Sequence, residues 1–111
     1  MKASDILKES DLQRQVLDHL SYLGVYCWRN NTGAYKRGGT WIRYGKVGSA
    51  DITGILKDGR RLEIETKTSC GSLSEDQRHF AHAIQRNKGV YLVIRSLEEL
   101  HHELRRHVNG S

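Results

Sequence analysis

The sequence predicts an α/β fold, in which helices flank a mixed β-sheet, and three features of the chain support it. Stretches with apolar residues at helical spacing alternate with short strand-like stretches. A turn-forming sequence at residues 57–59 separates two of the strand-like stretches, which indicates an antiparallel hairpin. Residues 90–94 form a continuous apolar run that is typical of a central strand. Because 111 residues are enough for a single hydrophobic core, we expect one compact domain over residues 1–111.

The first helix is predicted by a stripe of apolar residues, with Gly24 as its stop. The inward residues of this stripe are Leu12, Val16, Leu20 and Leu23. Residues 25–28 then have the composition of a short strand, and residues 40–44 that of a second one. We expect a loop between these two strands.

Two further helices are predicted in the second half of the chain. Ser74 and Gln77 have the spacing of a capping box, and the helix that they open is expected to end near Gly89. The apolar residues at helical intervals in it are Phe80, Ala81 and Ile84. A last helix is predicted at about residues 96–108. Its inward residues are expected to be Leu97, Leu100, Leu104 and Val108.

The hairpin formed by residues 51–56 and 62–67 has two possible registers. A two-residue turn would place Asp51 opposite Thr66 and mix charged with apolar side chains on each face. A three-residue loop, with Gly59 in the left-handed conformation of a bulge, would place Asp51 opposite Glu65. We expect this second register, because it separates a polar face from an apolar face that can be buried. The Cβ atoms of Asp51 and Glu65 would then lie about 5 Å apart, close enough for one cation to bind both carboxylates.

The charged residues of this hairpin suggest a chemistry. Glu63, Glu65 and Lys67 alternate with apolar residues, which places all three on one face of their strand. Two carboxylates and an ammonium group at one place suit metal-assisted cleavage of a phosphodiester. On the hairpin alone, the competing interpretation is a set of salt bridges at the protein surface.

The charge of the chain favours an anionic partner, since the net charge is +5 and the pI is about 9.4. Residues 29–48 contain no acidic residue. The basic residues of this segment are Arg29, Lys36, Arg37, Arg43 and Lys46, and they are interleaved with the aromatic residues Tyr35, Trp41 and Tyr44. Cations neutralise phosphates and aromatic rings stack on unpaired bases, so we expect these cations, together with Asn31, to bind nucleic acid. The alternative is a solvated surface loop whose aromatic residues belong to the core.

Other functional classes are less well supported by the sequence. No apolar run approaches the 18 or so residues that span a bilayer, and the N-terminus lacks the apolar region of a signal peptide, so we expect a cytoplasmic protein without a membrane partner. Cys27 and Cys70 share no metal-ligand spacing and are expected to be reduced thiols. His79 and His82 raise the alternative of a zinc site or a histidine base, but their spacing offers no third convergent ligand.

Two polar residues occupy positions where the helical stripes predict apolar ones. The first stripe continues back from Leu12 to Glu9, and that of the capped helix continues back from Phe80 to Gln77. Both side chains are therefore candidates for the functional end of the sheet. The alternative is that each is only a first-turn residue, with Glu9 favoured by the helix dipole and Gln77 completing the capping box.

These residues resemble the successive motifs of the VRR-NUC domain, a branch of the PD-(D/E)XK nuclease superfamily, over roughly residues 9–94. The matching motifs are Glu9-x-x-Leu12-Gln13, Trp28-Arg29-Asn30-Asn31-Thr32-Gly33, Gly48-x-x-Asp51, Glu65-x-Lys67 and Leu73-Ser74-x-x-Gln77. Two positions depart from the family pattern: Ala50 stands in place of the proline that names the superfamily, and Thr66 in place of a more usual aliphatic residue. Neither departure removes a functional group.

The resemblance implies a magnesium-dependent endodeoxyribonuclease in which Mn²⁺ is a possible substitute and no small-molecule cofactor is needed. The implied metal ligands are Asp51, Glu65, the main-chain carbonyl of Thr66 and Glu9, with Lys67 as the catalytic lysine and Gln77 as a supporting residue of the site. Family members that consist of this domain alone are typically phage-encoded, and similar proteins act as homodimers on branched DNA such as Holliday junctions, in repair or recombination. The remaining alternatives are a module that only binds branched or single-stranded DNA, and a monomer that nicks single phosphodiester bonds.

Overall fold

Helices and strands alternate along residues 8–68 and 70–109, which are the residues that the computed structural model describes. The elements are α1 (Glu9–Tyr22), β1 (Tyr26–Arg29), β2 (Gly33–Arg37), β3 (Thr40–Tyr44), β4 (Ile52–Ile55), β5 (Arg61–Thr66), α2 (Glu75–Arg86), β6 (Val90–Ile94) and α3 (Leu97–Leu104), followed by a π-helical segment, Arg105–Asn109. Among the described residues, none of these helices is both long enough and apolar enough to span a membrane.

Four strands form the main sheet in the order β1-β4-β5-β6. Strands β1, β4 and β5 pair antiparallel, whereas β5 and β6 pair parallel across the α2 connection. The predicted α/β class, with a mixed sheet flanked by helices, is therefore confirmed. The expectation that β6 is a central strand is wrong, because it lies at the edge of the sheet. Its apolar run is explained by its two faces, since α3 packs on one and α2 on the other.

The predicted register of the β4–β5 hairpin is confirmed. Ile52 lies opposite Ile64 and Thr53 opposite Glu63, and Gly59 has a φ of +92°. Asp51 precedes β4 by one residue, so the continuation of this register brings it beside Glu65. One face of the hairpin is thus apolar and the other polar, as the alternation of the sequence requires.

The apolar face of the sheet forms the main core with α1 and α3. Its buried residues include Leu12, Val16 and Leu20 from α1, Leu100 and Leu104 from α3, and Ile52, Leu62, Ile64, Leu92 and Ile94 from the sheet. Complete burial of a side chain such as Ile64 contributes about 1.5–3 kcal/mol to folding. The opposite face carries a smaller cluster, in which Ala81 of α2 packs with Tyr91.

The helix ends differ from the predictions in two places. Helix α1 ends at Tyr22, and Leu23, which was expected to point inward, is 41% exposed beyond the last turn. Helix α2 ends at Arg86 rather than near Gly89. In the last helix, Leu100 and Leu104 are buried and Leu97 is partly buried, as predicted. The side chain of Val108 lies outside the described residues.

Strands β2 and β3 form a separate two-stranded hairpin, where only β3 was predicted. Gly38 and Gly39 make its two-residue turn, and both have positive φ, +55° and +84°. This conformation is that of the turns that match the twist of hairpin strands, and glycine adopts it without steric cost. Gly38 and Gly39 therefore have a structural role in this turn. Strand β1 begins at Tyr26, one residue later than expected.

Candidate metal centre and nucleic-acid interface

Thr66 of β5 fixes Asp51 at the polar end of the β4–β5 hairpin. The main-chain N–H and the hydroxyl of Thr66 both donate to Asp51 Oδ2, each at 2.8 Å. The side chain of Thr66 is completely buried, so this anchor is shielded from water. Thr66 therefore orients the Asp51 carboxylate.

The segment that leads to Asp51 is held by Asn30, a residue that the sequence analysis did not place in the site. The N–H of Asn30 donates to the Asp51 carbonyl at 2.8 Å, and its Nδ2 donates to Ser49 Oγ and to the Ala50 carbonyl, both at 2.9 Å. Gly48 packs against the first turn of α2 so closely that a Cβ atom on it would lie 2.5 Å from the Asp76 carbonyl oxygen. A side chain at position 48 would push α2 away from the site.

Glu65 is the most deeply buried carboxylate of the site, with 3% of its surface exposed. Its Oε2 accepts a hydrogen bond from Gln77 Nε2 at 3.1 Å and lies 3.7 Å from Lys67 Nζ. Its Oε1 is buried without a hydrogen-bond partner. The pKa of Glu65 is raised to about 7, chiefly by burial and then by the Asp51 carboxylate, while the Lys67 ammonium opposes the shift. A negative charge on Glu65 is therefore poorly compensated by the protein alone.

Gln77 has both of the roles that the sequence left as alternatives. Its N–H donates to Ser74 Oγ at 3.2 Å and its Oε1 accepts from the Ser74 N–H at 2.9 Å, which completes the capping box of α2. Its Nε2 remains available and donates to Glu65. The capping box therefore fixes the amide that orients this carboxylate.

Glu9 joins this site from the first turn of α1. Ligand atoms of Glu9, Asp51 and Glu65 all lie within 4.8 Å of one another, and Glu9 is the exposed member of the group. Three carboxylates at this spacing offer hard oxygen ligands, which Mg²⁺ prefers. The unpartnered Oε1 of Glu65 is the atom that a cation would satisfy. The donor set therefore fits a magnesium ion.

Lys67 lies beside the same cluster, with its Nζ 3.7 Å from Glu65 Oε2. Its N–H donates to the Ile94 carbonyl at 3.1 Å, which continues the pairing of β5 with β6 and fixes the backbone. Its side chain is 16% exposed. Arg95 Nη1 donates to the Thr68 carbonyl at 2.6 Å and so secures the chain that follows the lysine. The ammonium group thus stays beside Glu65 while it remains accessible to a ligand.

Two buried residues behind the carboxylates extend the polar face of the sheet. Glu63 is completely buried, accepts from Thr53 Oγ1 at 3.2 Å and pairs with Arg61 Nε at 2.8 Å. The alternative of surface salt bridges among Glu63, Glu65 and Lys67 is wrong about the surface, because both carboxylates are buried, although Lys67 does pair with Glu65. Tyr91 lies beside Glu63 on β6, and its buried hydroxyl has no hydrogen-bond partner. The pKa of Tyr91 is raised by burial and by the carboxylates of Glu65, Asp51 and Glu63. Sequence alone missed it, because its position depends on the parallel pairing of β5 with β6.

The predicted nucleic-acid-binding residues lie on an exposed surface outside the carboxylate cluster. Every residue from 31 to 41 is exposed, and so are the remaining cations of the segment. In the β2–β3 register, Lys36, Trp41 and Arg43 share one face of the hairpin, whereas Arg37 lies on the other. Arg29 ends β1, and Asn31 and Lys46 flank the hairpin. The aromatic residues Tyr35, Trp41 and Tyr44 are all exposed, so the alternative in which they belong to the core is wrong.

The histidines of α2 do not join a metal site within residues 8–68 and 70–109. His79 and His82 are exposed, and His79 Nε2 lies 3.9 Å from Glu75 Oε1. The group of potential ligands at metal-binding spacing in these ranges is the one formed by Glu9, Asp51 and Glu65.

Comparisons with protein-family models, with curated proteins and with solved structures found no match to this chain. A functional conclusion therefore depends on the carboxylate cluster, the charge distribution and the sequence motifs.

Proposed function

We propose that the chain is a Mg²⁺-dependent endonuclease of the VRR-NUC type, within the PD-(D/E)XK superfamily, that hydrolyses phosphodiester bonds in DNA. The observation that carries this proposal is the unpartnered buried oxygen of Glu65 within a cluster of three carboxylates that has Lys67 beside it. A purely structural cluster would gain nothing from leaving a buried carboxylate oxygen without a partner.

Asp51, Glu65 and Glu9 would hold the ion, together with the main-chain carbonyl of Thr66. Bound Mg²⁺, or Mn²⁺ in its place, lowers the pKa of a coordinated water and offsets the charge that develops on a phosphate. Thr66 keeps Asp51 in position through two hydrogen bonds, and Gln77 does the same for Glu65 through one. Two ligands that are already oriented need little reorganisation on binding.

Lys67 would act on the phosphodiester. Its backbone is anchored by the strand, and its ammonium group, 3.7 Å from Glu65 Oε2, would contact a phosphate oxygen or the attacking water. A cation fixed beside developing negative charge stabilises a transition state more than a mobile one, because no reorganisation is needed during the reaction.

The β2–β3 hairpin and its flanking residues would bind the DNA backbone. They combine exposed cations with exposed aromatic rings and contain no acidic residue. Branched DNA is the substrate that we favour, and a homodimer is the assembly that suits it. A junction is resolved by cuts in two strands, and a two-fold dimer presents one site to each of them.

The proposal is tested with labelled duplex, flap, single-stranded and four-way-junction DNAs, each incubated in Mg²⁺ and in EDTA. We expect cleavage in Mg²⁺ alone, and its loss in Glu65→Gln with DNA binding largely kept. The matched control is Glu75→Gln, which alters a side chain that is 81% exposed and outside the cluster. Binding without cleavage by the wild-type chain would instead favour a non-catalytic DNA-binding module.

The dimer is tested separately by light scattering and by analysis of junction products. We expect a dimeric mass and cuts in two opposite strands. A monomeric mass with cuts confined to one strand would reject the resolvase while leaving the endonuclease proposal intact.

A further inference from the structure

Within residues 8–68 and 70–109, no helix covers the β1–β4 half of the polar face of the sheet. Helix α2 packs on β6, and an α-helix about 10 Å wide covers roughly two strands that are spaced about 4.8 Å apart. The uncovered half belongs to β1 and β4, and it carries Tyr26, Trp28 and Ile55. These side chains are 72%, 44% and 45% exposed, respectively. Two aromatic rings and a large aliphatic side chain thus share a solvent-facing surface, where burial would be favourable.

The register places this surface next to the candidate metal centre. Trp28 lies opposite Thr53, and Thr53 lies opposite Glu63, two residues before Glu65 on the same face. Two residues along a strand span about 7 Å, so the indole of Trp28 projects from the row next to that of Asp51 and Glu65. Tyr26 occupies the following row, opposite Ile55. The rings of Tyr26 and Trp28 pack edge to face with their centroids 5.6 Å apart, which holds both in place.

The charges around the two rings indicate an anionic occupant. The side chain of Arg29 lies on the other face of the sheet, opposite Ile52, but residues 29–48, which follow Trp28, contain no acidic residue and carry exposed cations. A groove of about 260 Å³ lies between Trp28 and Arg61. In the same row of the sheet, Glu63 is completely buried and is paired with Arg61. Asp51 and Glu65 lie one row away, within the candidate metal centre. A second copy of the chain on this surface would bring like charges together, whereas a nucleotide supplies both a flat apolar ring and a negative charge.

We propose that Tyr26 and Trp28 form a stacking platform for unpaired bases beside the candidate metal centre. The substrate class would then be DNA that has unpaired nucleotides next to the scissile phosphate, as in a flap or at a branch point. The statement about cleavage rests on the proposed function, but the stacking itself requires neither metal nor catalysis. Bases within a duplex are already stacked on each other, so the platform discriminates in favour of single strands.

Binding is measured in EDTA, so that cleavage plays no part. The chain has two tryptophans, Trp28 and Trp41, so Trp41→Phe leaves Trp28 as the sole indole. We expect a thymidine oligonucleotide to quench the emission of this variant, and a blunt duplex of the same sequence to quench it much less. We also expect Trp28→Leu to weaken binding of the oligonucleotide by about 5- to 150-fold, the range that corresponds to one stacked base. The affinity for the duplex should change by less than about twofold, since phosphate contacts are kept.

Controls separate stacking from loss of structure. Tyr22→Leu removes an aromatic ring that is 85% exposed at the end of α1, on the opposite side of the sheet, and should leave both affinities unchanged. Trp28→Phe keeps a ring and should restore most of the single-strand affinity, and Tyr26→Leu should repeat the Trp28→Leu effect if that variant folds poorly. An equal loss for both DNAs, or no loss for the single strand, would overturn the platform. It would also be overturned if Trp28→Leu converted a dimer into a monomer while single-strand affinity was unchanged. Stacking without cleavage in Mg²⁺ would support the platform and reject the nuclease.

Discussion

The β4–β5 and β2–β3 hairpins have the same local topology and opposite surroundings. In β4–β5, both faces are buried over most of their length, and the polar end holds Asp51 and Glu65. In β2–β3, every strand residue except Ile42 is exposed. The first hairpin has a three-residue loop with Gly59 at positive φ, and the second has a two-residue turn of Gly38 and Gly39.

Under the proposed function, this difference would separate a rigid metal centre from an exposed surface that binds nucleic acid. Carboxylates that share an ion must be placed to within a fraction of an ångström, and burial of the surrounding strands supplies that rigidity. Contacts to a nucleic-acid backbone carry no sequence information and tolerate motion, so an exposed hairpin is sufficient for them. Four predictions test this difference. Two of them compare matched substitutions in the two hairpins, and the other two change residues of one hairpin.

The largest effect is expected from replacing the lysine of each hairpin by methionine. Lys67→Met should lower the rate of cleavage at saturating DNA by about 100- to 1000-fold, because it removes a fixed cation from the transition state. Lys36→Met should leave that rate unchanged and weaken DNA affinity by less than about tenfold. Single-turnover rates and binding isotherms measure the two quantities independently. A loss of affinity with normal turnover in Lys67→Met would contradict the assignment of the two hairpins.

The second effect concerns stability. Ile64→Ala should lower the free energy of unfolding by about 2–5 kcal/mol, since the side chain is completely buried in the main core. Ile42→Ala should cost less than about 1 kcal/mol, because Ile42 is only partly buried within an exposed hairpin. Urea unfolding followed by circular dichroism gives both values. Equal losses would mean that β2–β3 unfolds together with the core.

The same contrast explains which parts of the molecule could be predicted from sequence. A slip of one residue in β4–β5 would place Ile52 and Ile64 on the polar face, so the alternation of the sequence was sufficient to predict the register. Strand β2 escaped prediction because both of its faces are exposed and no burial pattern marks it. Glu9 and Gln77 were found because they interrupt apolar stripes.

Other features depend on which strands become neighbours, and local pattern does not specify this. Asn30 reaches the Ser49–Asp51 segment only because β1 pairs with β4, and Tyr91 lies beside Glu63 only because β6 pairs with β5. The apolar run of β6 reports that both of its faces are covered. It does not report whether both of its edges are paired, which is why an edge strand was taken for a central one.

The third prediction concerns DNA affinity, on which we expect an effect of intermediate size. Replacing Lys36, Arg37 and Arg43 by alanine together should weaken binding to every DNA structure alike. Each phosphate contact contributes about 0.9 to the slope of log affinity against log salt concentration, so this slope should become shallower by about 2 to 3 for duplex DNA. The control replaces Arg14, Lys57 and Arg105, which removes the same charge from exposed positions outside the hairpin. If the control variant lost as much affinity, the net charge of the chain rather than the hairpin would be responsible.

The smallest effect is a pH dependence of stability that originates at the polar end of β4–β5. The pKa of Glu65 is raised to about 7 in the folded protein, from 4.5 as its ordinary value. The folded state therefore retains a proton that the unfolded state releases, so this group's contribution to stability falls as the pH rises from about 4.5 to about 7. Glu65→Gln mimics the protonated form. In EDTA, the melting temperature of Glu65→Gln should match that of the wild type near pH 5. Near pH 8 it should be higher than that of the wild type by roughly a few degrees. Mg²⁺ should narrow the gap at pH 8 by stabilising only the wild type. A gap that stayed constant from pH 5 to pH 8 would mean that burial does not raise the pKa of Glu65.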